Sequence, residues 1–383
     1  MTDNAADFLT ELLTGTAAQI DVPADLLALA DAIYADLGGY LSENLPGERN
    51  WLFYPQGSAR IGTSVYPTGP DEWDVDTVAE VDLDKAATTQ AALKQMVGTA
   101  LRDYMQARAG DPQLGPTGGD AGRRCWTLTY RHPFHVDVLP AVPNRDRDAP
   151  PTGIWLADRD LVRWQPSNPK GYAEWFTRQM GREFIERQTE LAKAASVSID
   201  DIPTWRVKTT LQRSVQILKL HRNAFFANDL DNRPPSCVVT TLAGLSYDGE
   251  RSLFAAVMTA AAPMSKHITQ DGAVWVVENP AQPGDNLADR WSQNLVALRR
   301  FQPWLDDLQS TLESATTRTG VESIVASLAS RFDETLLTKA AREVASRAAA
   351  AVAPAAIVTE GLSRSGGRFG PVPDTRARTG RAG

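Results

Sequence analysis

The chain has 383 residues, with 39 Lys+Arg against 47 Asp+Glu, a net charge of −8, 43% hydrophobic residues and 2 cysteines. That apolar fraction suffices for one large or two closely packed domains, and the acidic balance excludes a protein that coats long nucleic acid, which must neutralise many phosphates. Cys125 and Cys237 stand in no CxxC or Cys/His spacing, so neither a disulfide framework nor a zinc site is indicated and a reducing compartment is expected.

The opening segment MTDNAADFLTELL is acidic where a secretion signal is basic. The longest apolar stretch, Leu253 to Met264, falls short of the ~20 residues that span a bilayer. The expectation is a cytoplasmic protein with no membrane partner.

From Pro23 to Leu45 the apolar residues Leu26, Ile33, Leu37 and Leu41 recur at helical spacing between acidic residues, which predicts a long amphipathic helix. Trp51 to Pro55 is a short aromatic strand ended by Gln56-Gly57-Ser58. Trp73 to Val81 and Phe134 to Leu139 read as half-buried strands, Ala86 to Ala107 as a helix between them, and Gly110 to Gly122 as a loop. The first part of the chain thus mixes strands and helices. After Pro166 the pattern turns nearly all α, with helices expected at Gly171 to Ala195, Thr204 to Asn228, Ser236 to Leu245, Ser252 to Ala261, Asn286 to Leu312 and Val321 to Ala353. Gly361 to Gly383 holds five arginines and little apolar surface, which predicts a flexible basic tail.

Within the strand Trp73-Asp74-Val75-Asp76-Thr77, alternation places Asp74 and Asp76 on one face, about 6 to 7 Å apart. Two carboxylates at that distance suit a shared hard cation such as Mg²⁺; the alternative is a solvated strand face whose charges deter edge pairing. His135-Val136-Asp137-Val138-Leu139 offers a third carboxylate on the same alternating logic, able to act as base toward an attacking hydroxyl if its strand lies beside the first. Gly57 permits close backbone approach, and the Ser58 hydroxyl with neighbouring main-chain N–H groups could hold a phosphate; a generic Gly-Ser turn is the plainer reading. His132 and His135 point to opposite strand faces, which makes a zinc pair improbable.

The run Pro55-Gln56-Gly57-Ser58-Ala59-Arg60-Ile61-Gly62-Thr63, then Asp74-Val75-Asp76 and His135-Val136-Asp137-Val138, resembles the DNA polymerase β-like nucleotidyltransferases. Within them it looks like the cGAS/DncV-like enzymes (CD-NTases) of bacterial CBASS anti-phage systems. Ser167 to Phe176 and Val215 to Arg222 share that look, and the resemblance covers roughly residues 20 to 340.

The resemblance implies an α+β fold: a polymerase β-like palm with a mixed sheet and an N-terminal spine helix over residues 1–165, an oligoadenylate-synthetase-like helical lobe over 166–353 that completes a nucleotide cleft, and the tail over 354–383. It implies that Asp74, Asp76 and Asp137 are catalytic and hold two Mg²⁺ ions, with Mn²⁺ as a possible substitute. Gln56, Gly57 and Ser58 would position the donor triphosphate. Lys219 would meet the donor phosphates, against the reading of a solvated helix lysine, and Ser236 would either contact phosphate or N-cap the next helix. The implied product is a cyclic di- or trinucleotide second messenger made from NTPs, ATP among them, for a downstream effector that senses it. Some relatives are conjugated through their C-terminus by an E1-E2-like enzyme, which would make Gly383 a conjugation terminus, although Ala382-Gly383 departs from Gly-Gly.

Two rival readings stand beside this. One is a linear oligonucleotide or tRNA nucleotidyltransferase. Residues 361–383 carry +4 (five arginines against Asp374), which leaves −12 on residues 1–360 and disfavours a long RNA partner. The other is a catalytically silent nucleotide-binding scaffold.

Overall fold

The computed structural model describes residues 3–44, 51–67, 72–122, 124–157 and 164–352. Two helices, α1 (Asp3–Gln19) and α2 (Ala24–Asn44), precede β1 (Trp51–Pro55), the one-turn α3 (Gly57–Ile61), β2 (Trp73–Val81) and α4 (Gln90–Ala107). Five strands follow: β3 (Gly118–Ala121), β4 (Trp126–Thr129), β5 (Phe134–Pro143), β6 (Ile154–Ala157) and β7 (Trp164–Ser167). The second half contains α5 (Pro169–Ala195), α6 (Thr204–Val207), α7 (Thr210–Phe225), α8 (Ser236–Ser246) and α9 (Leu253–Ala261). Then come β8 (Thr269–Asp271), β9 (Val274–Val276), β10 (Glu278–Asn279), β11 (Gln282–Asn286), α10 (Leu295–Thr316), α11 (Val321–Leu328) and α12 (Glu334–Val352). The basic tail and Gly383 lie outside the described residues.

The first seven strands form one mixed sheet. β2 pairs antiparallel with β1 and parallel with β5, β4 runs antiparallel between β5 and β3, and β6 joins the far end of β5 to β7. The period-2 alternation divides its faces as expected. Trp73, Val75, Ala79, Val136 and Val138 turn to the back, where they pack on Ile33, Leu37 and Leu41 of α2 and on Val97, Leu101 and Tyr104 of α4. Leu37 is fully buried there, so truncating it to Ala costs roughly 2–5 kcal/mol. Asp74, Asp76 and Asp137 are left on the open front.

A second core gathers the helices, with Leu211, Val215 and Leu218 of α7 packed among Trp304 of α10 and Leu337 of α12. Leu9, Leu12 and Leu13 of α1 belong to this core, and α1 lies against α12, α9 and α7. α1 therefore sits with the helical core, whereas the sheet runs on through β7 to Ser167. An amphipathic stripe says that one face is buried and leaves its partner open.

Several expected helices are divided. The 204–228 helix breaks at Lys208, whose φ of 57° is left-handed, and α7 restarts on a capping box in which Thr209 and Gln212 bond each other's backbone N–H. The 321–353 helix is two, because the Asp333 carboxylate accepts from the N–H groups of Thr335 and Leu336 and starts α12 afresh. The 286–312 helix begins only at Leu295, capped by Asn294. Two β-hairpins, β8 with β9 and β10 with β11, interrupt the half read as nearly all α. The expected 110–122 loop ends in strand β3. No helix among the described residues is long and apolar enough to cross a membrane.

Candidate active site

β1 ends at Pro55, and the N–H of Gln56 donates to the Asp76 carbonyl at 2.9 Å, so the chain leaves the sheet beside the second carboxylate. Gly57 then takes φ +64°, and a Cβ there would stand 2.3 Å from Asp76 Oδ2. Both the left-handed backbone and the missing side chain are needed at this one residue. Ser58 follows, its Oγ 3.1 Å from Ser64 Oγ.

The parallel register sets Asp76 opposite Asp137 and Asp74 opposite His135. Thr127 on β4 donates to Asp137 Oδ1 at 2.5 Å, and His135 Nε2 lies 2.6 Å from Asp74 Oδ1 while its Nδ1 meets Glu72 Oε2 at 3.1 Å. Burial, together with the charges of Asp74 and Asp137, pushes the Asp76 carboxyl up to about 7. The bond to Asp74 pushes the His135 imidazole up to about 9.

Across the cleft, Lys219 on α7 is 4% exposed, and its Nζ donates to the carbonyl and the hydroxyl of Thr63 at 2.9 and 3.2 Å. This overturns the alternative of a solvated helix lysine. Burial, with Arg222 adding like-charge repulsion, brings its ammonium down to about 7. Ser236 is the first residue of α8 behind Pro235 and makes no cap bond; its Oγ accepts from Arg222 Nη1 at 3.0 Å. The capping alternative for Ser236 is thereby excluded.

Gly57, Ser58, Asp74, Asp76, Lys219 and Ser236 line one recess of about 190 Å³. Asp137 does not line it but flanks Asp76 on the same sheet face. The recess opens beside a cleft of about 590 Å³ with Arg222, Arg233 and Arg331 on its walls. On the other side, Gln56 and Gly57 border a further pocket of about 190 Å³. Sequence reasoning missed Thr127, Thr63, Arg222 and the pairing of His135 with Asp74, all set by strand register or helix packing between distant segments. Cys237, which also lines the recess, is adjacent to Ser236 and could have been found from it.

Among the described residues no three His, Cys, Asp or Glu side chains are already gathered around one point. The donor chemistry nevertheless fits a hard divalent cation: three carboxylates share one face, and burial together with the charges of the other two raises the middle one, a repulsion that a cation would relieve.

Residues 52–140 match the family model for the nucleotidyltransferase domain of cyclic GMP-AMP synthase DncV-like proteins, a span that holds Gly57, Ser58 and all three aspartates. The chain is also 26% identical over 331 residues to a c-di-GMP synthase of Roseivirga ehrenbergii, covering 84% of this chain and 83% of that protein. It is 27% identical over 396 residues to the cyclic dinucleotide synthase CdnG of Bradyrhizobium diazoefficiens, covering 96% and 90%. The chain is a cGAS/DncV-like nucleotidyltransferase. This CD-NTase shares its fold with CdnG of B. diazoefficiens solved with GTP, at a TM-score of 0.69 and 23% identity over 88% of this chain and 99% of that one. It also shares it with Vibrio cholerae DncV holding a linear intermediate, at a TM-score of 0.54 and 15% identity over 87% and 89%. The CD-NTase palm is thus the β1 to β7 sheet, and the lobe facing it supplies Lys219 and Ser236.

Proposed function

We propose that this CD-NTase joins NTPs, in the presence of Mg²⁺, into a cyclic di- or trinucleotide messenger. The observation that carries the reading is the single recess in which Gly57, Ser58, Lys219 and Ser236 face Asp74 and Asp76. The relatives' names, a c-di-GMP synthase and a CdnG in complex with GTP, support a dinucleotide and add GTP to ATP as a substrate.

Asp74, Asp76 and Asp137 would hold two Mg²⁺ ions, with Mn²⁺ as substitute. The ions supply neutralisation of the charge that develops on the transferred phosphoryl group and the departing pyrophosphate. Ser58, Lys219 and Ser236 bind the donor triphosphate, with Arg222 fixing the Ser236 hydroxyl. The ribose hydroxyl of the second nucleotide forms a bond to the donor α-phosphorus as the bond to the bridging oxygen breaks; pyrophosphate leaves and Asp137 takes the hydroxyl proton. Repetition within the linear product closes the ring. Thr127 holds Asp137 Oδ1, which orients the second oxygen for that proton.

The biological side of the proposal is cytoplasmic anti-phage defence of the CBASS type. An effector would read the product, and an E1-E2-like enzyme would conjugate Gly383. Deleting Gly383 in the presence of that enzyme should abolish conjugation and leave synthesis intact.

The deciding experiment is incubation of the purified protein with labelled NTPs and Mg²⁺. The expected product resists both phosphatase and exonuclease, and Asp74→Asn with Asp76→Asn abolishes it in a protein that still melts cooperatively. An exonuclease-sensitive product marks a linear polymerase, and no product from any NTP mixture marks the scaffold.

A further inference from the structure

The pocket on the far side of Gly57 is chemically unlike the large cleft. The cleft wall carries Arg222, Arg233 and Arg331, cations that suit a polyphosphate chain. The far pocket has a single arginine, Arg60, which donates to the Pro55 carbonyl, and otherwise presents Gln56, Asn168, Asn279 and Asp285, groups that read the edges of a base; it meets the recess at Gly57, Ile61, Tyr172 and Cys237. A nucleotide whose phosphates occupy the recess and point toward the arginines has its base on the Asp285 side.

Two of those polar side chains are already committed to the fold. Asn168 accepts from Gly171 N–H and Thr152 Oγ1 and donates to the Ala281 carbonyl, which ties the β10–β11 hairpin to the start of α5. Asn279 accepts from Ala281 N–H and donates to Asp285 Oδ2 at 2.9 Å. Asp285 Oδ1 has no hydrogen-bond partner among the described residues, so Asn279 aims the carboxylate while one oxygen stays open. Burial holds that carboxyl above its ordinary range, so donors brought by a ligand would relieve a desolvated acceptor.

The geometry points to Asp285, aimed by Asn279, as the residue that selects guanine, its carboxylate accepting from the N1–H and the 2-amino group of a GTP base. Adenine offers a lone pair at N1 where guanine offers a proton, so the same carboxylate repels it. This assignment rests on the synthase reading and adds to it the base and the residue that reads it.

The test is calorimetric binding of α,β-methylene analogues of GTP, ITP and ATP to the full-length protein. ITP lacks the 2-amino group, and wild-type protein should bind its analogue about tenfold more weakly than that of GTP. Asp285→Asn presents an amide donor to adenine N1 and should weaken the GTP analogue about 10- to 100-fold without weakening that of ATP. Asp285→Ala should lose the guanine preference with no gain for adenine. A match of GTP and ITP in the wild type, or an unchanged GTP-to-ATP ratio in both variants, overturns the assignment alone. A wild-type protein that binds none of the three overturns the synthase reading and this inference with it.

Discussion

A methyl group on Gly57 would come within 2.3 Å of Asp76 Oδ2, so the turn that borders the recess is packed directly on a carboxylate of the candidate site. Gly57→Ala has to displace one of them, at a φ of +64° that L side chains rarely adopt. The fold should persist, because the turn lies on the open side of the sheet. Displacement of reacting groups by about 1 Å costs on the order of 10²-fold, so product formation should fall at least that far while the melting temperature drops only slightly. A near wild-type rate in Gly57→Ala would refute the contact's importance.

Asp76 illustrates the opposition between stability and function. Its carboxyl is pushed up to about 7 by burial and by Asp74 and Asp137, so in a chelator its negative charge is held at a cost. Asp76→Asn removes that repulsion and should raise the melting temperature in EDTA, by about 1 °C for each kcal/mol relieved. It should also abolish synthesis, and Mg²⁺ should raise the melting temperature of the wild type but not of this variant. Thermal scans with and without Mg²⁺ measure both effects, and an unchanged Mg²⁺ response would remove Asp76 from the ligand set.

The three aspartates and the Gly-Ser turn were legible because strand alternation is a local property: neighbours two apart share a face whatever the strand pairs with. The opposition of Asp76 to Asp137 was not, since parallel pairing joins segments separated by a whole helix. Helix breaks at Lys208 and before Asp333 were missed because apolar spacing continues across them, although the Thr209–Gln212 box and the Asp333 cap were present in the sequence. The placement of α1 with α12 depends on surface complementarity across more than 300 residues, which no local pattern reports. Asp285 was missed for a related reason. A polar residue in a short hairpin has no period to mark it, and only Asn279 beside it shows which way it faces.

His221, two residues beyond Lys219 on α7, predicts a pH effect on stability. The Trp304 indole N–H donates to its Nδ1 at 3.0 Å, which requires a lone pair there and so fixes the neutral ring, with Nε2 toward Asp307. Burial holds the imidazole well below its ordinary 6.5, despite the attraction of Asp307. The unfolded chain therefore takes up a proton that the folded one refuses, so stability is full above pH 6.5 and declines as the pH falls below it. His221→Gln can still accept from Trp304 and does not titrate. Between pH 7 and 5 the wild type should lose more of its melting temperature than this variant, and parallel curves would contradict the assignment.

Cys237 supplies a chemical probe of the recess. Its side chain shares the cavity with Ser58, Asp76 and Lys219 and is exposed, whereas burial of its surroundings pushes the thiol up to about 11. A thiol that is hard to ionise reacts slowly at neutral pH, since the thiolate is the nucleophile. N-ethylmaleimide at pH 8 to 9 should therefore modify it gradually and inactivate synthesis in step, by occupying space the triphosphate needs. Saturating GTP with Ca²⁺ should slow the modification at least tenfold. Cys237→Ser should be resistant to inactivation, which separates this thiol from Cys125. Mass spectrometry of the labelled peptide against residual activity gives the correlation, and loss of activity without label at Cys237 would place the reactive thiol elsewhere.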